Sequence, residues 1–296
     1  MSISICNAEI ASQQQQESRL AQLSNTRKGT HRKWWVPFVV IISGSLVIFS
    51  KICIFVAQKL DETIEMKYTD FENIISPERM RKYVEACSHD TKRARLLYRI
   101  NLRLSQEMFA LVSMFEVSLR NRIDKEMKNV HGDNWLRDFI FQGGVFDTDR
   151  RVEGTKKIIK KAYDGLANNG RYTHSKLLAE MEFGVWKYMF NNVQYRLTGR
   201  CLLNIFTNKP TSTKSNHYDN TYIYNELDKI NAIRNRIAHH EPICFGKSYP
   251  VVTDTQSVIE CYNAIMRLFE WMAIDTKGLL YGIDHINTVC SKIMSM

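Results

Sequence analysis

Residues 91–130, TKRARLLYRINLRLSQEMFALVSMFEVSLRNRIDKEMKNV, carry the most sustained apolar period in this 296-residue chain. The apolar side chains recur at steps of three or four residues, at Leu97, Ile100, Leu104, Met108, Leu111, Phe115, Leu119 and Ile123. This spacing matches the 3.6-residue period of an α-helix with one buried face, and many charged residues fall between the apolar positions. The stretch therefore predicts a long amphipathic helix from about Thr91 to Val130.

Start and stop signals predict further helices on both sides of this one. Ser76-Pro77-Glu78 is typical of a helix start, whereas Gly132-Asp133-Asn134 and Asn168-Asn169-Gly170 are typical of turns. Ser175 is the expected cap of the next helix. The other expected helices are residues 176–190, 222–240 and 255–274, separated by loops at 208–220 and 244–253. Because glycine is scarce and no alternating strand pattern appears, we expect an all-α fold.

The overall composition indicates a globular, basic protein. Hydrophobic residues make up 44% of the chain, and its formal net charge is +10. A basic balance favours polyanionic partners such as nucleic acid or anionic lipid. The number of cysteines is odd and no two form a CxxC pair, so we expect reduced thiols rather than disulfides or a zinc site.

The sequence RNRIAHHEP at residues 234–242 contains the candidate catalytic groups. Pro242 must follow the end of a helix because it lacks a backbone N–H. Asn235 and His239 are four residues apart and therefore share a helix face, and the long side chain of Arg234 can reach the same cleft. A cation, an amide and an imidazole suit RNA cleavage, in which the 2′-OH is the nucleophile. Such a site needs no metal or cofactor, and DNA should not be cleaved.

Two other interpretations of the same motif residues are a metal site and an ordinary helix end. His239, His240 and Glu241 are consecutive, so they cannot all face one metal ion from a helix, and no Gly-rich phosphate loop appears. A His–His pair before a proline is also typical of an ordinary helix end. The sequence Arg120-Asn121-Arg122 shows that such residues occur on solvated helix faces, although it could also line the cleft. We assign Arg120 and Arg236 as candidate RNA-binding residues.

Several segments resemble one protein family. The sequence RNRIAHHEPI at residues 234–243 resembles the signature of the abortive-infection (Abi-like) family of bacterial defence proteins, within the HEPN superfamily. The sequence LLAEMEFGVWKYMF at 177–190 is similar to that family's LxxEMxFGxW segment. Residues 93–124 resemble its first long helices, and WMAIDTKGLL at 271–280 is similar to its tail. The resemblance covers about residues 66–296.

The resemblance implies a HEPN-like helical bundle that is often dimeric and acts as a metal-independent endoribonuclease in phage defence. The matching catalytic positions are Arg234, Asn235 and His239. His240 also fits the looser spacing of the motif, so which histidine acts is open; we favour His239 because it shares a face with Asn235. The expected partners are RNA, a second copy of the chain and an antitoxin. The alternative is a noncatalytic, membrane-tethered HEPN module that binds RNA or a partner protein.

The first 65 residues have no counterpart in that family pattern. Residues 1–33 are polar with a basic end and predict a disordered arm. Residues 34–58 are mostly apolar and reach the roughly 20 residues that a single transmembrane helix requires. Lys51 lies near the far end of this run, where it can snorkel. The alternatives are a buried helix or hairpin, or a protein whose translation starts at Met66.

The orientation of this candidate membrane helix is predicted differently by two arguments. The basic residues before it favour a cytoplasmic N-terminus, which would place residues 60–296 outside. Free cysteines and an RNA-directed site favour a cytoplasmic location for the same residues. We follow the site chemistry and expect an inner-membrane protein with residues 66–296 in the cytoplasm, or a cytoplasmic protein if translation starts at Met66.

Overall fold

Helices make up the regular structure of the described part of the chain. The computed structural model describes residues 66–246 and 249–296. The α-helices of these residues are α1 Tyr68–Ile75, α2 Pro77–Ala86, α3 Thr91–His131, α4 Trp135–Asp138, α5 Glu153–Asn168, α6 His174–Ala179, α7 Phe183–Tyr188, α8 Asn192–Leu197, α9 Asn220–Ala238, α10 Gln256–Trp271, α11 Thr276–Leu279 and α12 Ile286–Met294. Short 3-10 helices occur at Val145–Asp147, Arg150–Val152 and Leu202–Ile205. Within the described residues the β-structure is one isolated antiparallel bridge, Phe245 to Thr253, so the all-α prediction is confirmed.

The long helix α3 forms as its sequence predicts. The Asp90 side chain accepts hydrogen bonds from the backbone N–H groups of Lys92 and Arg93 at its start. Gly132, with φ 89°, ends it in a conformation that favours glycine. The eight apolar residues of the predicted stripe are all buried. The observed length of 41 residues differs from the prediction by one residue at the C-terminus.

Helix α3 is the centre around which other helices pack. Helices α2, α9, α10 and α12 all contact it, and α9 also packs against α7 and α10. The Phe115 ring of α3 lies 6.3 Å from the Phe183 ring of α7 and 5.4 Å from the Phe269 ring of α10. All three rings are fully buried, and burying such a side chain contributes about 1.5–3 kcal/mol. This aromatic cluster fixes α7 and α10 against the middle of α3.

Two other predicted boundaries are also confirmed. The Ser76 hydroxyl accepts a hydrogen bond from Arg79 N at 3.3 Å, and Pro77 is the first residue of α2. Helix α5 ends at Asn168, and Gly170 turns the chain with φ 62°. The local start and stop chemistry therefore determines these helix ends.

The predicted helix at 176–190 was wrong in two respects. The segment forms two short helices, α6 and α7, separated at residues 180–182. The cap of α6 is Thr173, whose hydroxyl accepts from Lys176 N at 3.2 Å, rather than Ser175. Glu182 is extended, with ψ 159°, and the chain restarts as α7 at Phe183. The break allows Met181, Phe183 and the following Trp186 all to be buried.

The N-terminal predictions concern residues that the structure does not describe. Both the arm at 1–33 and the candidate membrane helix at 34–58 lie outside the described ranges. Among the described residues, no helix combines the length and apolar character needed to cross a membrane. Residues 66–296 form one compact unit. Its described cysteines are buried free thiols.

Candidate functional site

The candidate motif lies where α9 ends. The helix stops at Ala238, two residues before the predicted end, and His240 adopts the left-handed conformation with φ 56°. His240 N donates to Ile237 O at 3.0 Å, and Glu241 N donates to Arg236 O at 2.8 Å. These two bonds form a Schellman motif, in which the left-handed position is usually glycine. The helix therefore ends through local backbone hydrogen bonding before Pro242 is reached.

Two arginines attach this turn to its surroundings through backbone carbonyls. Arg79 of α2 donates to His240 O, and Arg236 donates to Pro242 O. Arg236 also lies 3.8 Å from the Glu241 carboxylate. Arg236 is thus a structural part of the turn, while its RNA-binding role stays a prediction.

A buried amide of α3 fixes the next residues. The Asn101 side-chain oxygen accepts a hydrogen bond from Ile243 N at 3.0 Å, and Asn101 is only 4% exposed. A backbone N–H buried at this position would be costly without a partner. The backbone after the histidines is therefore held from the protein interior.

The candidate polar side chains project away from this fixed backbone. Asn235, His239 and His240 are all exposed. His239 follows the helix as its C-cap residue, and its backbone N donates to Asn235 O at 2.9 Å. None of these three side chains forms a hydrogen bond with any other described residue. Their polar atoms are consequently available to a ligand from solution.

Arg234 interacts electrostatically with a carboxylate of α3. Glu116 of α3 is half-buried, and burial raises the pKa of its carboxyl. The positive charges of Arg234 and Arg120 oppose this rise in pKa, whereas the charge of Glu182 adds to it. We call Glu116, Arg120, Arg234 and Glu182 the carboxylate–arginine cluster. Arg120 and Arg234 therefore act on the same carboxylate, although the two residues are far apart in sequence.

The two guanidinium groups of this cluster retain binding capacity. Arg120 and Arg234 are both half-buried, and neither forms a close ion pair with a described carboxylate. A partly desolvated guanidinium without a bidentate partner is well suited to a phosphate. The two arginines thus offer guanidinium groups that a phosphate can contact.

Sequence reasoning missed both carboxylates of the cluster. Glu116 is one of many charged residues on the polar side of α3, and nothing in its local sequence distinguishes it. Glu182 lies within the FGxW-containing segment, where the resemblance gave it no role. Their proximity to Arg234 depends on tertiary packing that brings α3, α7 and α9 together.

Among the described residues, no group of three or more His, Cys, Asp or Glu side chains is arranged to hold a metal ion. No protein-family model matches the sequence, and neither a curated protein nor a solved structure shows significant similarity to it.

Proposed function

We propose that this chain is a metal-independent endoribonuclease of the HEPN type, related to the Abi-like proteins of bacterial phage defence. The observation that carries the proposal is the end of α9, where the exposed side chains of Asn235 and His239 stand on a backbone held by α2 and α3. Rigid support of reactive groups is the main requirement for orienting an RNA phosphodiester. Arg234 adds positive charge on the α3 side of the same helix.

The proposed reaction uses the 2′-OH of RNA as nucleophile. His239 takes the 2′-OH proton while the oxygen forms a bond to phosphorus, and the bond from phosphorus to the 5′-oxygen breaks. Arg234 neutralises charge on the nonbridging phosphate oxygens, and Asn235 orients the phosphate or the imidazole. The leaving oxygen acquires a proton, so the products are a 2′,3′-cyclic phosphate and a 5′-OH end.

A second copy of the chain would supply a second histidine for the other proton transfer. An exposed apolar stripe on α3 supports such pairing. Leu102, Phe109 and Val117 are 47%, 55% and 44% exposed, and their spacing places them along one side of the helix. Exposed apolar residues that recur along one side of a helix can form part of a protein-binding surface. The stripe ends close to Arg120, so a dimer formed there would bring two clusters near each other.

The decisive experiment compares the full-length chain with single substitutions in an EDTA-containing cleavage assay. The substrates are a mixed-sequence RNA and the corresponding DNA. We expect RNA cleavage alone, a cyclic phosphate product, and a loss of roughly 100-fold or more in the His239→Ala and Arg234→Ala variants. His217→Ala is the matched control because His217 is an exposed histidine in the loop before α9.

Two outcomes would contradict the proposal. Equal cleavage by the wild type and both active-site variants would identify a contaminating nuclease. Absence of cleavage by a folded dimer, together with RNA binding that weakens steeply with salt, would instead support the noncatalytic RNA-binding module.

A further inference from the structure

A cavity lies on the surface between α5 and the break that separates α6 from α7. Its volume is about 510 Å³, which is within the range of small-molecule sites. The apolar side of the cavity comes from Ile158, Ala162 and Leu166 of α5. Ile158 is 50% exposed, so apolar surface at this position faces solvent rather than the core.

Charged groups of both signs surround the apolar side of this cavity. Lys161 and Arg171 contribute cations, and Glu180 and Glu182 contribute carboxylates. All four residues are exposed. None of these four side chains has a hydrogen-bonding or ion-pair partner among the described residues. A ligand that matches these groups therefore has an apolar body, hydrogen-bond donors and a negative charge.

The break between α6 and α7 places the two carboxylates at the cavity. In a continuous helix, Glu180 and Glu182 would be two residues apart and would face different directions. The extended conformation of Glu182 and the turn at Glu180 allow both side chains to line one cavity. The segment that resembles the family's EMxFGxW sequence thereby acquires a position beside a binding site.

The cavity adjoins the carboxylate–arginine cluster. Glu182 belongs to both, because it lines the cavity and interacts electrostatically with Glu116. The ring contact between Phe183 and Phe115, at 6.3 Å between centroids, holds the neighbouring residues Glu182 and Glu116 on adjacent elements. The cavity therefore shares one residue, Glu182, with the cluster that contains Arg234.

We infer that this cavity binds a guanine nucleotide of the RNA substrate. The inference rests on the proposed ribonuclease function for its RNA context. Guanine presents N1–H and N2–H donors together on its Watson–Crick edge, which suits Glu180 and Glu182. Adenine presents an acceptor there, so its ring nitrogen would face a carboxylate unfavourably. The apolar residues of α5 contact the face of the base, and Lys161 and Arg171 bind its phosphate.

Gly165 provides a direct way to fill the cavity. A Cβ atom added at Gly165 would meet no other atom within 4 Å, and the same is true at Gly154 on the same helix. Only Gly165 lines the cavity. Replacing a helical glycine also improves helix propensity, so neither substitution should prevent folding. Gly165→Leu therefore blocks the cavity, and Gly154→Leu is its matched control.

The test measures binding of guanosine 5′-monophosphate to the full-length protein by calorimetry, with the adenosine, cytidine and uridine monophosphates for comparison. We expect GMP to bind at least tenfold more tightly than the other three. Gly165→Leu should reduce GMP affinity at least tenfold, whereas Gly154→Leu should bind like the wild type. Glu180→Gln should lose the preference for guanine while it retains the phosphate contacts.

The binding assay separates this inference from the proposed function. His239→Ala should abolish cleavage and still bind GMP, because His239 does not line the cavity. If the wild type cleaves no RNA but still binds GMP selectively, the proposed ribonuclease function is contradicted and the proposed guanine site is supported. Equal affinity for all four nucleotides, no GMP binding, or unchanged binding by Gly165→Leu would overturn the guanine site whatever the cleavage result.

Discussion

The Asn101 side chain of α3 and the backbone of Ile243 are joined by a buried hydrogen bond of 3.0 Å. This bond connects the central helix to the segment that follows the two histidines. Asn101→Ala would leave Ile243 N buried without an acceptor, and we expect a loss of about 1–3 kcal/mol in the free energy of unfolding. Urea denaturation measures this loss. Asn129→Ala, at an exposed position of the same helix, should change stability by less than about 0.5 kcal/mol.

The left-handed conformation of His240 predicts opposite effects for two substitutions. His240→Gly should retain or slightly raise stability, because glycine adopts positive φ without steric cost. His240→Val should lose about 1 kcal/mol or more, because a β-branched residue is strained there. Thermal unfolding distinguishes the two variants. If His239 is the acting histidine, His240→Gly also retains RNA cleavage; loss of cleavage in this well-folded variant would transfer the catalytic role to His240.

The carboxylate of Glu116 should lower the stability of the fold at pH 7 and support RNA cleavage. Burial raises the pKa of this carboxyl, so the folded protein binds its proton more tightly than the unfolded chain does. The contribution of Glu116 to stability therefore falls as pH rises from the unfolded pKa of about 4.3 through the folded value. We expect Glu116→Gln to raise the urea midpoint at pH 7 and to reduce RNA cleavage by about tenfold, because the charge of Glu116 no longer orients the Arg234 guanidinium.

Glu85→Gln, an exposed carboxyl of α2, is the control for this experiment and should change neither quantity. A Glu116→Gln protein that is less stable and fully active would show that Glu116 serves the fold rather than the site.

Asp124 should make the protein sensitive to acid. Burial acts to raise the pKa of this carboxyl, but hydrogen bonds from Lys128, His174 and Trp135 outweigh burial and lower it. Its contribution to stability is therefore present above the unfolded pKa of about 3.9 and is lost as pH falls through the folded value. Asp124→Asn should be less stable than the wild type at pH 7, and this difference should narrow below about pH 4. Urea titrations of both proteins at pH 7, 5, 4 and 3 measure this difference in stability. A difference that stays constant with pH would show that the ionisation of Asp124 is not coupled to folding.

Lys187 is a buried cation that pairs with Asp228. Removing Lys187 should lower the free energy of unfolding less than removing Asp228 does. Its side chain is 7% exposed, donates to Asp228 at 2.8 Å, and lies 4.5 Å from the Tyr188 ring centroid. Asp228→Ala would leave this charge buried with only aromatic contacts, and we expect a loss of about 1–3 kcal/mol. Lys187→Met should be nearer to neutral because it removes the charge and keeps the volume. Thermal unfolding measures both variants, and a Lys187→Met protein less stable than Asp228→Ala would contradict this explanation.

The sequence was most informative where structure depends on local spacing or on residue types with strong backbone preferences. The period of α3, the Ser76 cap and the Gly170 turn were all predicted and are confirmed. The break at residues 180–182 was not predicted, since Leu178 and Met181 continue a helical apolar spacing across it. No glycine or proline marks the break, which depends on how the segment packs against α3.

The candidate site could be predicted only in part, because some of its residues meet through tertiary packing. The motif residues from Arg234 to His240 are contiguous and could be selected directly. The end of α9 was placed two residues too late because His240 occupies a position where glycine is the usual signal. Glu116 and Glu182 could not be selected, because their relation to Arg234 arises from the packing of separate helices.

Helix α3 contains Asn101, Glu116 and Asp124, so their relative directions depend on an unbroken count of residues. Each additional residue would rotate everything beyond it by about 100° around the helix axis. One inserted residue between Asn101 and Glu116 would keep either the contact with Ile243 or the carboxylate beside Arg234, but not both. Natural variation in this protein should therefore change side chains within α3 and reserve changes of length for surface connections such as residues 207–219.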